Sequence, residues 1–307
     1  MAGETRREYR AYKQALLDRF GDYREKRYAE QDHLFDPDPR RYHVFRPEYA
    51  DRNVFSPDLA QLIERGRHRW LADMGSSQAL ALSVFGTLLN RGGLALFGEA
   101  TDEQGRPLLL DIVLEGRPEF EYPVRTLRES PPTRVDLFLP WAQGHVAIEC
   151  QLWEVEFGPC SQVDAGQCGG SYALQAGHEQ RCALSGKGIR YWRYIPELFR
   201  WRADADHIPC PIWKAYQLVR SVLAAAVDPR EQQVWGYPVA VLVYDERNPF
   251  FAPGGEVDEQ FRAVQAALQG PATLKRVTWQ AATAAMAKRG GYADLLTWLD
   301  DKYGIAP

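Results

Sequence analysis

The sequence predicts an α/β (α+β) fold with a mixed central sheet and helical additions at both ends. Its middle part reads as a helix, two or three strands, a helix and a further strand, which is the order expected of a layered domain. Residues 238–244 (PVAVLVY) are continuously apolar, which is typical of a strand buried on both faces. Helical patterns precede and follow this middle part, so we expect additional helices at its two ends.

A charged extension and one helix come before the sheet. The first 55 residues alternate positive and negative charge and predict two short helices, with the Pro-rich stretch 36–41 (DPDPRR) as the turn between them. The next helix begins at Ser76 or Ser77, either of which can cap it, and ends near 91–93 (RGG). Its apolar stripe at helical spacing comprises Leu80, Val84, Phe85, Leu88 and Leu89.

Local patterns also place the strands and the later helices. The predicted strands are 108–114 or 120–124 or both, then 135–139 and 145–152, and finally 238–244. Pro140 and Gly144 mark a turn between the second and third of these strands. An irregular stretch at 153–208 leads to a helix at 212–227. The predicted C-terminal helices lie around 256–269, 279–288 and 292–303.

Composition and charge exclude several classes of protein. With 45% hydrophobic and 25% charged residues, the chain matches an ordinary soluble globular protein. The charged N-terminus argues against a secretory signal, and no apolar run approaches the roughly 18 residues of a membrane span, so we expect no membrane partner. Five cysteines without an export signal favour reduced thiols and a cytoplasmic location. The net charge of −4 gives no overall attraction to nucleic acid, so any such binding must come from a local patch.

Three polar residues converge in two neighbouring predicted strands. If these strands form a hairpin, Asp136 lies opposite or diagonal to Glu149. Gln151 faces the same side as Glu149, whereas Cys150 faces the other side. Two adjacent buried carboxylates raise each other's pKa, and a hard divalent cation such as Mg²⁺ removes that cost. The pattern therefore predicts a metal site.

A plainer alternative stays open at this point. Asp136 would be a strand-end residue, and Glu149 would pair with an arginine, either Arg134 or one from the helix at 212–227. Short matches to D…ExQ are common by chance, so this pattern alone does not separate the two interpretations.

The order of elements, with Asp on the second strand and Glu-x-Gln on the third, resembles the PD-(D/E)XK nuclease superfamily. SSQALALSVFGTLLN at 76–90, IECQLWE at 148–154, and IRYWRYIPELF with AYQLVR within 189–220 are similar to a bacterial family of restriction-endonuclease-like proteins. The similarity covers about residues 70–250. It implies a restriction-endonuclease-like αβββαβ core. The implied organisation is a helical extension at 1–55 and a nuclease-like domain at 56–307, with a Cys- and Gly-rich insertion at 153–208 and C-terminal helices within 256–303.

The resemblance also implies roles for individual residues. Asp136 and Glu149 would be the metal ligands, together with the backbone carbonyl of Cys150. Gln151 occupies the position at which the superfamily characteristically carries a catalytic lysine, and a glutamine can orient a water but cannot act as a base. The residues implied to support the metal site or to contact phosphate are Glu154, Gln217 and Arg220.

The implied reaction is the hydrolysis of a phosphodiester in DNA by an endonuclease of restriction or phage-defence type. Its cofactor would be Mg²⁺ or Mn²⁺. The alternative is a catalytically inactive module that binds nucleic acid or a protein partner, with Gln151 marking the loss of activity. DNA is the expected partner, and a homodimer or a partner in a defence complex is a further expectation.

Basic and aromatic residues are interleaved between residues 181 and 220. Lys187, Arg190 and Arg193 are candidates for contact with DNA phosphates, and rings such as Tyr191 and Trp192 could stack on bases. The alternative is that the rings belong to the core and the cations form a solvated face.

Four of the five cysteines lie within or just after the irregular stretch, namely Cys160, Cys168, Cys182 and Cys210. They could form a structural Zn²⁺ site or an iron–sulfur cluster that pins this stretch, although no C-x-x-C spacing occurs. The alternative is four scattered reduced thiols.

Overall fold

Five strands form one sheet with helices on both faces. The computed structural model describes residues 2–63, 70–109, 116–141, 144–162, 164, 167–175, 177, 179–230 and 233–305. The strands are β1 (Glu119–Pro123), β2 (Arg134–Trp141), β3 (Gly144–Cys150), β4 (Val239–Tyr244) and β5 (Thr273–Thr278). The α-helices are α1 (Ala2–Tyr28), α2 (Ser77–Asn90), α3 (Ala95–Glu99), α4 (Ala183–Gly186), α5 (Tyr191–Leu198), α6 (Tyr216–Ala226), α7 (Glu256–Ala267), α8 (Trp279–Arg289) and α9 (Ala293–Tyr303). Short 3₁₀ helices lie at Asp32–Leu34, Pro39–Arg41, Pro47–Asn53, Pro57–Ile63, Arg125–Leu127 and Pro249–Phe251.

The sheet is mixed, with the strand order β1-β2-β3-β4-β5. Strands β1, β2 and β3 pair antiparallel, whereas β3, β4 and β5 pair parallel. Helix α2 precedes the three antiparallel strands, and α6 connects β3 to the parallel strand β4. The predicted order of helix, three strands, helix and strand is therefore confirmed, and so is the fold class.

Two apolar clusters cover the two faces of the sheet. One cluster joins the sheet to α1, α2, α8 and α9, and the other joins it to α5, α6 and α7. Every residue of β4 is buried, as the continuous apolar run predicted. Helix α2 begins where the sequence placed it, because the Ser76 hydroxyl accepts a hydrogen bond from the Ala79 amide at 3.3 Å.

The N-terminal region differs from its prediction. Instead of two short helices, α1 runs without a break for 27 residues, and the Pro-rich stretch contains only a 3₁₀ turn. The reason is a buried face that continues through the charged sequence, formed by Tyr12, Leu16, Phe20 and Tyr23. These side chains pack into the same cluster as α2 and the sheet.

The C-terminal region contains one strand that the sequence did not predict. Strand β5 pairs parallel with β4, although it carries Lys275 and Arg276 in its middle. The three C-terminal helices lie within two residues of their predicted bounds. Most of the strand predicted at 108–114 lies outside the described residues, whereas the candidate at 120–124 corresponds to β1.

Among the described residues, no helix is both long enough and apolar enough to cross a membrane.

Candidate active site

Strands β2 and β3 place two acidic side chains next to each other. The antiparallel register pairs Leu137 with Ile148, and the adjoining positions along the two strands are Asp136 and Glu149. Cys150 packs into the core on the opposite face of the sheet, as its alternation with Glu149 predicted. The two acids thus have the placement that the hairpin prediction requires.

An open cleft of about 1060 Å³ lies over these two acids. This volume is at the upper end of the range for binding pockets in proteins, so the cleft can accept an extended ligand. The polar residues that line it include Gln78, Glu121, Asp136, Glu149, Gln151, Glu154, Gln217 and Arg220. The structure therefore brings together all six residues for which the sequence predicted a direct or supporting role through their side chains, and it adds Gln78 and Glu121.

Asp136 borders the cleft from β2. Its Oδ2 atom accepts a hydrogen bond from the backbone amide of Cys150 at 2.7 Å. Burial raises the pKa of the Asp136 carboxyl well above its ordinary value, and the nearby charges of Glu149 and Glu121 raise it further. The amide of Cys150 opposes this rise only in part.

Glu149 is almost completely buried, with 5% of its surface exposed. Its Oε1 atom accepts a hydrogen bond from the side-chain amide of Gln217 on α6, whereas Oε2 has no hydrogen-bond partner within the described chain. Burial raises the pKa of Glu149 to about 8, even though Arg220 and Gln217 both lower it. The carboxyl group of Glu149 therefore lies near the charge of Glu121, and its Oε2 atom has no partner among the described residues.

Gln151 follows Glu149 on the same face and is held by several hydrogen bonds, one of them from its backbone amide to the carbonyl of Val243 at 2.8 Å. Its side-chain amide donates to Oε1 of Gln217 at 3.2 Å, and its backbone carbonyl accepts from the indole of Trp279 at 2.9 Å. Among the described residues its own Oε1 atom has no partner. Glu154 turns back on its own segment, because its Oε2 atom accepts from the Leu152 amide at 2.6 Å.

Glu121 is a further acid of the cleft, beside Asp136 and Glu149, and the sequence did not single it out. It lies between the paired positions Phe120 and Tyr122 of β1, which places it across from Asp136. The side-chain amide of Gln78 donates to Glu121 Oε1 at 2.5 Å. Burial raises the pKa of Glu121 to about 7, against the lowering effects of Gln78 and Arg134. An acid inside the strand predicted at 120–124 was the one signal in the sequence, whereas the contact with Gln78 depends on the tertiary structure.

Arg220 lies near both Glu149 and another acid. It is close enough to lower the pKa of Glu149, but its nearest carboxylate oxygen is Oε1 of Glu129 at 3.8 Å. Its guanidinium also lies over the ring of Tyr216 at 4.7 Å. No arginine of the described chain pairs directly with Glu149. The side-chain amide of Gln217 is its partner instead, so the plainer alternative is wrong on this point.

The basic stretch lies partly apart from the acids. Arg190 and Arg193 line a separate depression of about 450 Å³, and Lys187 donates to the side chain of Gln162 at 2.5 Å. Tyr191 and Trp192 are only 1% and 7% exposed. The prediction that these two rings stack on bases is wrong, because helix α5 turns them into the core.

Two carboxylates with free acceptor atoms suit a hard cation. Within the described part of the chain, no group of three or more His, Cys, Asp or Glu side chains is arranged to hold a metal ion. A Mg²⁺ ion needs fewer protein groups, because it takes one or two carboxylates and completes its shell with waters and phosphate oxygens. The unpartnered Oε2 of Glu149, beside the carboxyl group of Asp136, offers oxygens of this kind. The residues present fit such an ion.

The mixed sheet, the two flanking helical layers and the paired acids at the β2–β3 hairpin define a restriction-endonuclease-like protein. The chain belongs to the family described as "Restriction Endonuclease associating with ARP", whose model matches residues 10–304. The matched region includes most of α1 and the three C-terminal helices, so the family unit comprises nearly the whole chain. Comparison with curated proteins and with solved structures gave no match.

Proposed function

We propose that this protein is a Mg²⁺-dependent endonuclease that hydrolyses phosphodiester bonds in DNA. The observation that carries the proposal is the pair of the partly buried Asp136 and the buried Glu149 on one face of a sheet, beside an open cleft. Family membership supports a nuclease, and the acid pair supports dependence on a metal.

The acids would hold the ion between β2 and β3. Asp136 and Glu149 provide carboxylate oxygens, and the backbone carbonyl of Cys150 is the third protein ligand that we assign. A bound Mg²⁺ would make hydroxide available near neutral pH and neutralise charge on the scissile phosphate. Gln217 fixes the Glu149 carboxyl by donating to its other oxygen, which leaves Oε2 for the ion.

We assign to Gln151 and Glu121 together the functions that a catalytic lysine would have at position 151, namely orienting the attacking water and accepting its proton. The free Oε1 of Gln151 can accept a hydrogen bond from the attacking water and so orient it. A glutamine cannot take up the proton of that water, so another group must accept it. Glu121 is a carboxyl group across from Asp136 in the same cleft, and we assign it this role.

Cations outside the acid pair would contact the DNA backbone. Arg220 lines the cleft, whereas Arg190 and Arg193 line the separate depression. Lys187 is exposed near them on the chain, and together these groups supply the local positive charge that the net charge of −4 does not. The family description also names association with ARP, which supports action together with a partner.

A plasmid cleavage assay tests the proposal. We expect the protein to cut DNA with Mg²⁺ or Mn²⁺ and not with a chelator present, and we expect Asp136→Asn and Glu149→Gln each to lower the rate more than about 100-fold, because loss of a ligand costs more than loss of its supporting partner. Asp22→Asn and Glu25→Gln, on the exposed face of α1, are matched controls that should keep full activity. DNA binding in the chelator is measured in parallel by fluorescence anisotropy.

Three outcomes would separate the interpretations. Cleavage that persists in both folded acid variants would show that the site is misassigned. DNA binding without cleavage by the unaltered protein would favour the catalytically inactive module, in which Gln151 marks lost activity. Neither binding nor cleavage would favour a partner-binding role.

A further inference from the structure

Four cysteine-bearing segments are tied to one another within the irregular part of the chain. The backbone amide of Cys160 donates to the carbonyl of Trp213, and the amide of Cys210 donates to the carbonyl of Gly170, each at 2.8 Å. Gly170 follows Cys168 by two residues and Trp213 follows Cys210 by three, so these bonds join the segments that carry Cys160, Cys168 and Cys210. No regular strand or helix of the described chain lies between β3 and α4. The backbone hydrogen bonds of Cys160 and Cys210 therefore help to hold this region together.

Cys182, the residue directly before α4, is the remaining member of the group. Its thiol is close enough to influence the ionisation of Cys160 and of Cys210, and Cys168 acts on all three of the others. Cys160, Cys168 and Cys182 are buried, and Cys210 is partly buried. The four cysteines therefore lie in the same part of the fold, although 50 residues separate the first from the last.

Backbone amides point at three of these sulfur atoms. The amide of Gln162 donates to the thiol of Cys160, and the amide of Ile212 donates to the thiol of Cys210, in each case two residues further along the chain. The amides of Ser185 and Leu184 donate to Cys182 in the same way. Each of these bonds favours the negatively charged thiolate, which is the form that binds metals. Burial outweighs them and raises the pKa of all three thiols, so their protons leave only when a cation takes their place.

Cys168 is followed by a turn that only glycine adopts readily. Gly169 and Gly170, directly after Cys168, have φ values of +57° and +73°. A Cβ atom on Gly170 would lie 3.0 Å from the ring of Trp213, so the chain approaches this ring closely. The Cys168 thiol itself donates to the carbonyl of Gln162 at 2.9 Å, which directs it toward the segment of Cys160.

We propose that Cys160, Cys168, Cys182 and Cys210 bind one Zn²⁺ ion as a structural site. Four thiolates are a ligand set that zinc takes in closed tetrahedral sites. The described residues offer no group of three such side chains already at ligand spacing, so the thiols turn inward when the ion binds, and Cys168 gives up its bond to Gln162. The binding step releases four protons and forms four Zn–S bonds, with no change of oxidation state.

A single ion suits this region better than an iron–sulfur cluster. Tyr172 lies close to Cys182 and Cys210, and its ring stacks on Trp192 with centroids 3.4 Å apart. These rings fill the space beside the thiols, and a cluster would have to accommodate several iron and inorganic sulfide atoms there. The complex of Zn²⁺ with four thiolates carries two negative charges, and Arg220 lies near enough to Cys160 to offset part of them.

The site would stabilise the connection between the two halves of the cleft. The stretch that holds the cysteines leads from β3, which carries Glu149, to α6, which carries Gln217. The amide of Gln217 donates to the carbonyl of Phe157 at 3.0 Å, so the start of the stretch and the start of α6 are already joined. The ion would add a cross-link to the apolar contacts that Phe157 and Tyr172 already make with the core, and so make this connection rigid.

Metal analysis of the untagged, purified full chain tests the proposal without any nuclease assay. We expect about one zinc and no iron per chain by mass spectrometry of the metals. We expect each of the variants Cys160→Ser, Cys168→Ser, Cys182→Ser and Cys210→Ser to lose it. Cys150→Ala is the matched control, because this fifth cysteine lies on β3 outside the group and the variant should keep its zinc.

A second measurement covers the case in which the serine variants do not fold. A strong chelator added to the unaltered protein should remove the zinc and lower its melting temperature, and Co²⁺ added to the metal-free protein should give the intense absorption of thiolate ligation. A colourless protein without zinc, whose melting temperature is the same with and without the chelator, would overturn the proposal. Iron together with inorganic sulfide would overturn it in favour of a cluster. None of these results depends on whether the chain cuts DNA.

Discussion

At the scale of the residue, the cleft depends on amide side chains that position acids. Gln78 donates to Glu121, and Gln217 donates to Glu149. Glu121 also adopts a φ of +51°, a conformation that residues with a side chain rarely take. Such local strain is maintained only where the surrounding structure fixes it, and here it turns an acid of an edge strand toward Asp136.

Glu121→Gln should lower the turnover number for DNA cleavage by about 100-fold or more, because removal of a proton acceptor typically costs this much. The affinity for DNA should change little, since the substitution retains the size of the side chain and removes no cation. Glu119→Gln is the matched control, because Glu119 is an exposed acid on the same strand. Equal turnover in the two variants would contradict the assigned role.

At the scale of the element, the segment after β3 is held by donors from distant parts of the chain. The hydroxyl groups of Tyr9 and Tyr12 on α1 donate to the carbonyls of Trp153 and Leu152, at 2.5 and 2.8 Å. The side chain of Asn248, after β4, donates to the same carbonyl of Leu152 and to that of Glu154. Because this segment continues directly from Gln151, α1 helps to fix one wall of the cleft.

Gly75→Ala should destabilise this wall by about 1–3 kcal/mol, the usual cost of overpacking a tight contact. A Cβ atom at Gly75 would lie 1.9 Å from the indole of Trp153, so the ring would have to move. Gly3→Ala is the control, because nothing lies within 4 Å of that position on α1. Urea unfolding monitored by circular dichroism gives both free energies of unfolding, and similar values for the two variants would show that Trp153 moves at no cost.

At the scale of the whole molecule, the C-terminal helix α9 packs against α1 and against the segment that contains Asn53. The ammonium group of Lys302, near the end of α9, donates to the backbone and side-chain oxygens of Asn53 at 2.5 and 2.6 Å. It also lies over the rings of Trp298 and Tyr303 at 4.7 and 5.0 Å. Lys302 is completely buried, and burial lowers its pKa well below the ordinary value, with only Asp73 acting to raise it.

The buried lysine predicts a specific dependence of stability on pH. Its pKa is lower in the folded chain than the 10.5 of a free lysine, so between these two values the unfolded chain binds more protons. The free energy of unfolding contributed by Lys302 should therefore rise with pH up to 10.5 and be lost as pH falls. Relative to Lys302→Met, the unaltered protein should gain stability as the pH rises toward 10.5, by no more than about 1.4 kcal/mol per pH unit.

The comparison with Lys302→Met removes the effect of the other groups that titrate near this site. Tyr23, Tyr303 and Asp73 face the lysine and are present in both proteins. Their contributions therefore largely cancel in the difference between two urea unfolding series. Parallel pH curves for the two proteins would mean that the folded lysine titrates at its ordinary pKa.

The sequence by itself determined the order of the core elements and the acid pair. The period of two in β3 places Glu149 and Gln151 on one face, and the short turn between β2 and β3 brings Asp136 beside them, so local geometry was sufficient. The apolar run of β4 and the capped start of α2 were readable for the same reason. Each of these features depends on neighbours in the chain.

Only the tertiary structure decided the remaining features, because they depend on partners far away in the sequence. Strand β5 forms in spite of two central cations, since Arg276 is buried against Asp258 and Glu103. Helix α1 forms as one uninterrupted helix because its aromatic face packs on α9 and the sheet. Glu121 faces the acid pair through a backbone conformation and a contact with Gln78, 43 residues away, that no local pattern encodes. The spacing of residues along each strand determined which side chains share a face, and long-range packing determined which residues they contact.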